Sequence, residues 1–93
     1  MAPKPTQVLL LTAADCGFCA DAKAVLARVA GEYDVRVDTL PLESPEGQEL
    51  GRAGGVLFPP GTFLDGEPFA YGRLSERKLR RELRRRGATR RAA

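Results

Sequence analysis

The chain is organised around residues 15–19, Asp-Cys-Gly-Phe-Cys, which contain the only two cysteines of the sequence. Residues 8–11, which precede this stretch, are an apolar run of the kind that forms a buried strand. Residues 20–29, which follow it, show the i, i+3, i+4, i+7 spacing of an amphipathic helix, with apolar side chains at Ala22, Val25, Leu26 and Val29. A Cys-x-x-Cys pair is therefore predicted at the turn from a strand into a helix.

The position of the pair in this turn predicts different roles for its two cysteines. Cys16 should lie beside the unpaired N–H groups of the helix start, whose partial positive charge favours thiolate over thiol. Asp15 is expected to be the N-cap; its charge opposes the thiolate, while its capping stabilises the helix that favours it. We expect the N–H groups to prevail, because they point at the sulfur and the carboxylate can point away. Cys16 is thus the predicted nucleophile, and Cys19, one turn into the helix, the resolving thiol.

Length and composition predict one small domain over residues 1–93, with an ordered core at about 6–86 and a basic tail at 87–93. No apolar run is long enough to span a membrane, so no membrane partner is expected. The N-terminus lacks the apolar segment of a secretory signal, which predicts a cytoplasmic location. In a reducing compartment two cysteines favour catalysis or metal binding over a structural disulfide. Since the sequence has no histidine, histidine bases and Cys/His zinc sites are excluded.

Charge is distributed unevenly along the chain. The net charge is +3, but residues 1–72 carry 5 basic and 10 acidic side chains, whereas residues 73–93 carry 10 basic and 2 acidic ones. The basic segment is interpreted first as a solvated helix face around an apolar stripe of Leu79 and Leu83. The alternative is an electrostatic docking surface for an acidic partner or for nucleic acid. No aromatic interleaving or nucleic-acid motif accompanies it, so specific nucleic-acid recognition is not expected.

The rest of the sequence predicts the other elements of the domain. Strands are expected at residues 6–12 and 34–42, with the first helix between them running to about residue 32. Ser44 followed by proline predicts a short helix at 45–52. Asp65-Gly66 between two apolar runs predicts a two-residue hairpin. Ser75 is the expected N-cap of a final helix that ends before Gly87, after which residues 88–93 should fray.

The resulting order, β-α-β-α-β-β-α with the cysteine pair at the first strand-to-helix turn, resembles the thioredoxin fold. The resemblance implies an α/β domain with a four-stranded mixed sheet flanked by three helices. Glutaredoxins are the closer branch, since Pro60, four further residues and then Asp65-Gly66 reproduce the glutaredoxin spacing from the cis-proline to the hairpin. The resemblance covers residues 6–86. It implies that Pro60 is cis and packs against the cysteine pair, and that the backbone beside Pro60 pairs with the substrate. The plainer alternative is that Pro59 and Pro60 only shape a loop.

The resemblance also implies which residues bind the substrate, namely Gly17, Phe18, Pro59, Pro60 and Gly72. Pro59 departs from the family pattern, because a proline has no N–H to donate to the bound disulfide, so substrate pairing should be reduced. The Gly-Phe between the cysteines matches neither the Pro-Tyr usual in glutaredoxins nor the Gly-Pro usual in thioredoxins. The family's glutathione contacts are poorly reproduced, since Ala-Ala-Asp at residues 13–15 stands where a cation is usual.

These residues predict a monomeric thiol-disulfide oxidoreductase that reduces protein or low-molecular-weight disulfides by dithiol exchange. No bound cofactor and no metal are expected, and the sequence leaves open whether the reductant is glutathione, another small thiol or a reductase. Two alternatives follow from the same residues. One is a non-catalytic, redox-sensing binding module that docks an acidic partner through its arginine-rich C-terminal helix. The other is an iron–sulfur carrier that bridges two chains, because two thiolates supply only half of the usual four ligands. The alternative without any function is that the cysteine pair is coincidental or structural.

Overall fold

The computed structural model describes residues 4–91, and within them the elements follow the predicted order. The strands are β1 (Thr6–Thr12), β2 (Val35–Pro41), β3 (Gly61–Leu64) and β4 (Glu67–Tyr71). The helices are α1 (Gly17–Ala30), α2 (Pro45–Ala53) and α3 (Glu76–Arg85). None of these helices is both long and apolar enough to cross a lipid bilayer. The predicted α/β class, a four-stranded mixed sheet flanked by helices, is confirmed.

The first strand lies inside the sheet, whose order is β2-β1-β3-β4. It pairs in parallel with β2, where Thr6 faces Val35, and antiparallel with β3, where Val8 faces Leu64. The parallel pair and its crossover through α1 form the predicted βαβ unit. Because β1 is held along both edges, the loop that carries the cysteines leaves from a fixed point at the centre of the sheet.

The hairpin between β3 and β4 turns at Asp65 and Gly66, as predicted. Both residues have positive φ angles, 49° and 83°, the combination that a two-residue type I′ turn requires. The Asp65 carboxylate also accepts a hydrogen bond of 2.8 Å from the backbone N–H of Gln7. The turn is thereby tied to β1, which fixes the register of β3 and hence the position of the prolines that precede it.

The main core lies where α1 and α3 pack on the sheet. It consists of buried apolar residues, namely Val8, Leu10, Ala22, Val25, Leu26, Val29, Tyr33, Val35, Leu64, Leu74, Leu79 and Leu83. Leu79 and Leu83 are the predicted apolar stripe of α3, and both are fully buried. Burying one such side chain contributes about 1.5–3 kcal/mol. These contacts hold the helix that carries the cysteines rigidly against the sheet.

The short helix α2 packs closely through its glycines. A Cβ placed on Gly54 would lie 2.7 Å from the ring of Phe63, and one on Gly51 would lie 2.8 Å from a methyl group of Leu42. The helix starts at Ser44, as expected, because the Ser44 Oγ accepts a 3.0 Å hydrogen bond from the N–H of Gly47. The glycines therefore mark where the helix backbone approaches its neighbours.

Strand β2 differs from its sequence pattern. The alternation of Val35 and Val37 with charged residues predicted the strand, but only Val35 of β2 is buried, and Val37 is 37% exposed. Strand β2 lies at the edge of the sheet and has a neighbouring strand on one side only. Helix α1 also ends at Ala30 rather than near residue 32.

The segment after α3 is the clearest correction to the sequence-based description. Residues 88–91 were expected to fray, but Thr89 accepts a 2.8 Å hydrogen bond from the N–H of Asp34, and Arg91 donates one of 2.8 Å to the carbonyl of Glu32. The guanidinium of Arg90 lies 5.3 Å from the ring centroid of Tyr33. The turn after α1 offers these backbone groups and this ring, so the segment pairs with it. The remaining tail residues, 92–93, lie outside the described part of the chain.

Candidate active site

The two cysteines lie at the N-terminus of α1, where the chain leaves β1. Cys16, not the expected Asp15, is the N-cap, and its Sγ accepts a 3.2 Å hydrogen bond from the backbone N–H of Cys19. Asp15 is exposed and has a left-handed φ of 52°. The helix starts one residue later than predicted, so a sulfur occupies the place of a capping oxygen. One backbone N–H, that of Cys19, thus points at the sulfur, which is part of the arrangement expected to outweigh the charge of Asp15.

The two thiols are free and differ in exposure. Cys16 is half-buried, whereas Cys19 is only 4% exposed. Burial raises the pKa of the Cys19 thiol, and its hydrogen bond with the Cys16 side chain raises it further. Two weaker influences, the backbone of Ala13 and the charge of Lys23, lower it. Cys19 is therefore held as a protonated thiol next to the more accessible sulfur.

Alkylation should distinguish the two thiols. In the native protein at about pH 7, iodoacetamide should modify Cys16 well before Cys19, because the thiolate is the reactive form and Cys19 is both buried and shifted to a higher pKa. Raising the pH should increase the rate at Cys19, since its thiolate fraction grows only as the pH approaches that raised pKa. Mass spectrometry of tryptic peptides measures both rates. Equal rates in the native protein would contradict the assignment, whereas equal rates in denaturant are expected.

The prolines of the loop before β3 lie beside the first sulfur. The peptide bond between Pro59 and Pro60 is cis, as the resemblance implies. The Cys16 Sγ lies 4.0 Å from the carbonyl oxygen of Pro59. Pro60 is buried, and its carbonyl accepts a 2.8 Å hydrogen bond from the N–H of Gly72. The structure thus brings together Cys16, the proline pair and Gly72, which lie far apart in the sequence and were predicted to take part in the same site.

Exposed apolar side chains lie on this loop and on the segments of Phe18 and Tyr71, and only one of them was predicted at this site from the sequence. We call four of them the apolar rim: Phe18 (46% exposed), Leu57 (78%), Phe58 (49%) and Tyr71 (42%). The rings of Phe58 and Tyr71 meet edge to face, with centroids 5.2 Å apart. Only Phe18 was predicted to contact substrate. The available signal was residues 56–58, Val-Leu-Phe, an apolar run placed in a loop rather than in a strand.

Gly72 is the residue that lets the rim form. Its φ is 75°, and a Cβ at this position would lie 2.7 Å from the ring of Phe58. A larger residue would therefore push that ring away, whatever its backbone preference. Gly17, the remaining predicted substrate residue, is exposed in the first turn of α1, and no atom outside its own neighbourhood lies within 4 Å of where its Cβ would be.

A metal centre at the cysteine pair would need ligands from another molecule. Among residues 4–91, no group of three or more histidine, cysteine or carboxylate side chains is placed to hold an ion. The groups that influence Cys19 are Cys16, Ala13 and Lys23, so none of them is a carboxylate that could take its proton. The chemistry that this arrangement supports is thiol exchange at the Cys16 sulfur.

Comparison with solved structures identifies the fold. The chain is similar to a mutant thioredoxin from Halobacterium salinarum NRC-1, with a TM-score of 0.68 and 26% identity over 88% of this chain and 74% of that one. It is also similar to glutaredoxin 1 from Francisella tularensis in complex with cacodylate, with a TM-score of 0.56 and 20% identity over 87% of this chain and 98% of that one. No protein-family model and no curated protein matches the sequence.

The class of protein follows from these likenesses and from the element order. The chain has a thioredoxin-like fold, the fold of thiol-disulfide oxidoreductases. The predicted likeness to the thioredoxin fold is confirmed, and the likeness to glutaredoxin 1, at 20% identity, is a likeness of fold.

Proposed function

We propose that this protein is a dithiol thiol-disulfide oxidoreductase in which Cys16 is the nucleophile and Cys19 the resolving thiol. The observation that carries the proposal is the environment of Cys16. Its sulfur is partly exposed, accepts the N–H of Cys19 at 3.2 Å and lies 4.0 Å from the carbonyl of Pro59. A disulfide substrate can reach such a sulfur, and the helix terminus stabilises negative charge on it.

The reaction proceeds by two successive thiol exchanges. The Cys16 thiolate attacks one sulfur of the substrate disulfide, a Cys16–substrate disulfide forms, and the other substrate sulfur leaves as a thiolate that takes a proton from water. Cys19 then loses its proton and attacks the Cys16 Sγ, which forms the Cys16–Cys19 disulfide and releases the second substrate thiol. The substrate gains two electrons and the protein loses two. Two molecules of a small thiol, with glutathione as one candidate, restore the dithiol.

The pKa of the Cys19 thiol favours attack by Cys19 only after Cys16 has bonded to the substrate. Two of the influences that raise it come from Cys16, namely the hydrogen bond to its side chain and its negative charge. Both disappear once Cys16 is bonded to the substrate sulfur, because that sulfur is then neutral and no longer accepts the proton. Capture of substrate therefore makes the second thiol easier to ionise. Water accepts that proton.

The surroundings of Cys16 favour protein disulfides as substrates. Pro59 presents a carbonyl but no N–H beside the sulfur, so a bound chain can donate to it and cannot accept from it. The apolar rim offers four exposed side chains on the segments that flank the sulfur. An apolar residue next to the substrate cysteine can pack on that rim and offset the missing hydrogen bond.

Trapping of the first intermediate tests this function. The Cys19→Ser variant, mixed with a peptide disulfide, should accumulate a covalent adduct on Cys16 whose mass equals the protein plus one peptide, and a thiol should release it. The wild-type protein should instead form its internal disulfide and release both peptides. If the variant forms no adduct, and the wild-type protein reduces no disulfide faster than dithiothreitol alone does, the proposed function is wrong.

A further inference from the structure

The exposed side of α3 carries a narrow row of arginines. We call this row the arginine stripe; it consists of Arg77, Arg81 and Arg84 on α3 together with Arg73, which lies in the turn before the helix. At 100° per residue Arg77, Arg81 and Arg84 span an arc of about 60° on α3 and point away from the buried Leu79 and Leu83. All four arginines are exposed. Arg77, Arg81 and Arg84 therefore lie on the outward face of α3.

The other arginines of α3 are neutralised by carboxylates, and this uses up the acidic residues of the helix. Arg80 pairs with Glu32 and Glu76. Arg85 and Arg86 both pair with Glu82, and their hydrogen bonds lower the pKa of the Glu82 carboxyl to about 2. Arg28 of α1 takes the other oxygen of Glu76 at 2.8 Å.

The stripe itself has no such compensation. Among residues 4–91, no carboxylate oxygen lies within 4.0 Å of a stripe guanidinium. Four unpaired guanidinium groups in a row repel one another, and an arriving partner that carries carboxylates relieves this repulsion. The unequal distribution of ion pairs within α3 is the observation that singles out this face.

The stripe starts beside the proposed substrate groove. Gly72 donates its N–H to the carbonyl of Pro60 at 2.8 Å and lies under the ring of Phe58, and the next residue in the chain is Arg73. From there the stripe follows α3 away from the cysteines. A protein held by its disulfide at Cys16 can therefore place a neighbouring segment along α3.

We propose that the arginine stripe docks an acidic helical segment of the protein substrate, which rests on the function proposed above. Arg77 and Arg81 lie four residues apart on α3, a rise of about 6 Å, and glutamates at i and i+4 of a facing helix are separated by the same distance. Guanidinium and carboxylate groups pair in a bidentate fashion, which favours this match over lysine-type contacts. The contact between the acidic helix and the arginine stripe thus helps to hold the substrate disulfide near Cys16.

The charge of the rest of the domain favours an acidic protein segment over nucleic acid. Residues 1–72 carry 10 acidic and 5 basic side chains, so a long polyanion that extends past the stripe is repelled by the body of the domain. Helix α3 itself carries no aromatic side chain, so it offers no aromatic ring on which bases could stack. A short acidic helix contacts the stripe alone and avoids this repulsion.

Binding of a defined peptide tests the docking without any redox chemistry. The probe is a fluorescent, alanine-rich helical peptide with glutamate at every fourth position, and its control has glutamine at those positions. Arg77→Gln/Arg81→Gln/Arg84→Gln should weaken binding of the glutamate peptide about tenfold, the sum of three exposed ion pairs of ordinary strength. Lys4→Gln/Arg36→Gln/Arg52→Gln removes the same charge elsewhere and should change binding less than about twofold.

The outcomes separate docking from catalysis. Equal losses in both triple variants, or tighter stripe-dependent binding of a 20-base-pair DNA duplex than of the peptide at equal salt, would overturn the proposal. For substrates, a peptide disulfide with the glutamate helix should show a KM about tenfold lower than its glutamine counterpart, with kcat unchanged, and the stripe variant should abolish the difference. A wild-type protein that binds the peptide but turns over neither substrate refutes the oxidoreductase and leaves stripe binding established.

Discussion

Cys16→Ser is expected to lower the rate of disulfide reduction about 1000-fold or more, to the level of the reaction without protein. A serine hydroxyl does not ionise near neutral pH, so the attacking group is lost. Cys19 cannot take over, because it is 4% exposed and burial raises its pKa. A reductant-coupled assay with a peptide disulfide measures the loss. Residual activity above about one tenth of the wild-type rate would show that Cys16 is not the nucleophile.

The same substitution carries its own control for folding. Cys16 is the N-cap of α1, and its sulfur accepts the N–H of Cys19 at 3.2 Å. Serine is among the preferred N-cap residues, so Cys16→Ser should preserve or slightly raise the melting temperature while removing activity. Cys19→Ser should lose less activity than Cys16→Ser, since the first exchange remains and an added small thiol can release the adduct. A larger loss in Cys19→Ser would reverse the two roles.

The sequence predicted the fold well because its local signals are strong and agree with one another. Apolar residues 8–11, the helical spacing of residues 20–29 and Asp65-Gly66 each select one local structure, and the three are compatible with one sheet. The cysteine pair and Pro60 could be found because both are chemically distinct residues and because the spacing from Pro60 to Asp65-Gly66 resembles that of glutaredoxins. Short-range sequence patterns are therefore sufficient to predict an element where few other local structures fit the same residues.

The features that the sequence did not predict depend on contacts between distant segments. The apolar rim required the loop at residues 56–58 to meet Tyr71, and pairing of residues 88–91 required the turn after α1 to be near in space. The predicted N-cap of α1 was wrong because aspartate is a better capping residue than cysteine, whereas the structure has Cys16 at that position. Tertiary contacts of this kind leave no periodic signal in the chain.

Glycine in the short helix α2 illustrates the same point. In the sequence, Gly47 and Gly51 weaken the helix prediction, since glycine has a low helix propensity. In the structure both are buried, and a Cβ on Gly47 would lie 2.0 Å from the carbonyl oxygen of Pro41 and 3.0 Å from the Cα of Leu42. Glycine at position 47 lowers the helix propensity of α2, but its lack of a side chain is what allows α2 to pack against the end of β2.

Gly47→Ala is accordingly expected to destabilise the protein by at least about 2 kcal/mol, since the added methyl group meets backbone atoms that cannot rotate away. For a domain of this size that loss lowers the melting temperature by roughly 10 °C. Helix propensity alone predicts the opposite sign, a gain of up to about 1 kcal/mol. Thermal and urea unfolding followed by circular dichroism measure the difference.

Gly17→Ala is the matched control, because Gly17 is also helical but has no neighbouring atom within 4 Å of its Cβ position. This variant should be neutral or more stable by about 0.5 kcal/mol, the ordinary effect of alanine replacing glycine in a helix. Opposite signs for the two substitutions would show that close approach of α2, rather than propensity, determines the effect at Gly47. If both variants are stabilised, α2 does not pack against β2 as closely as the 2.0 Å separation requires.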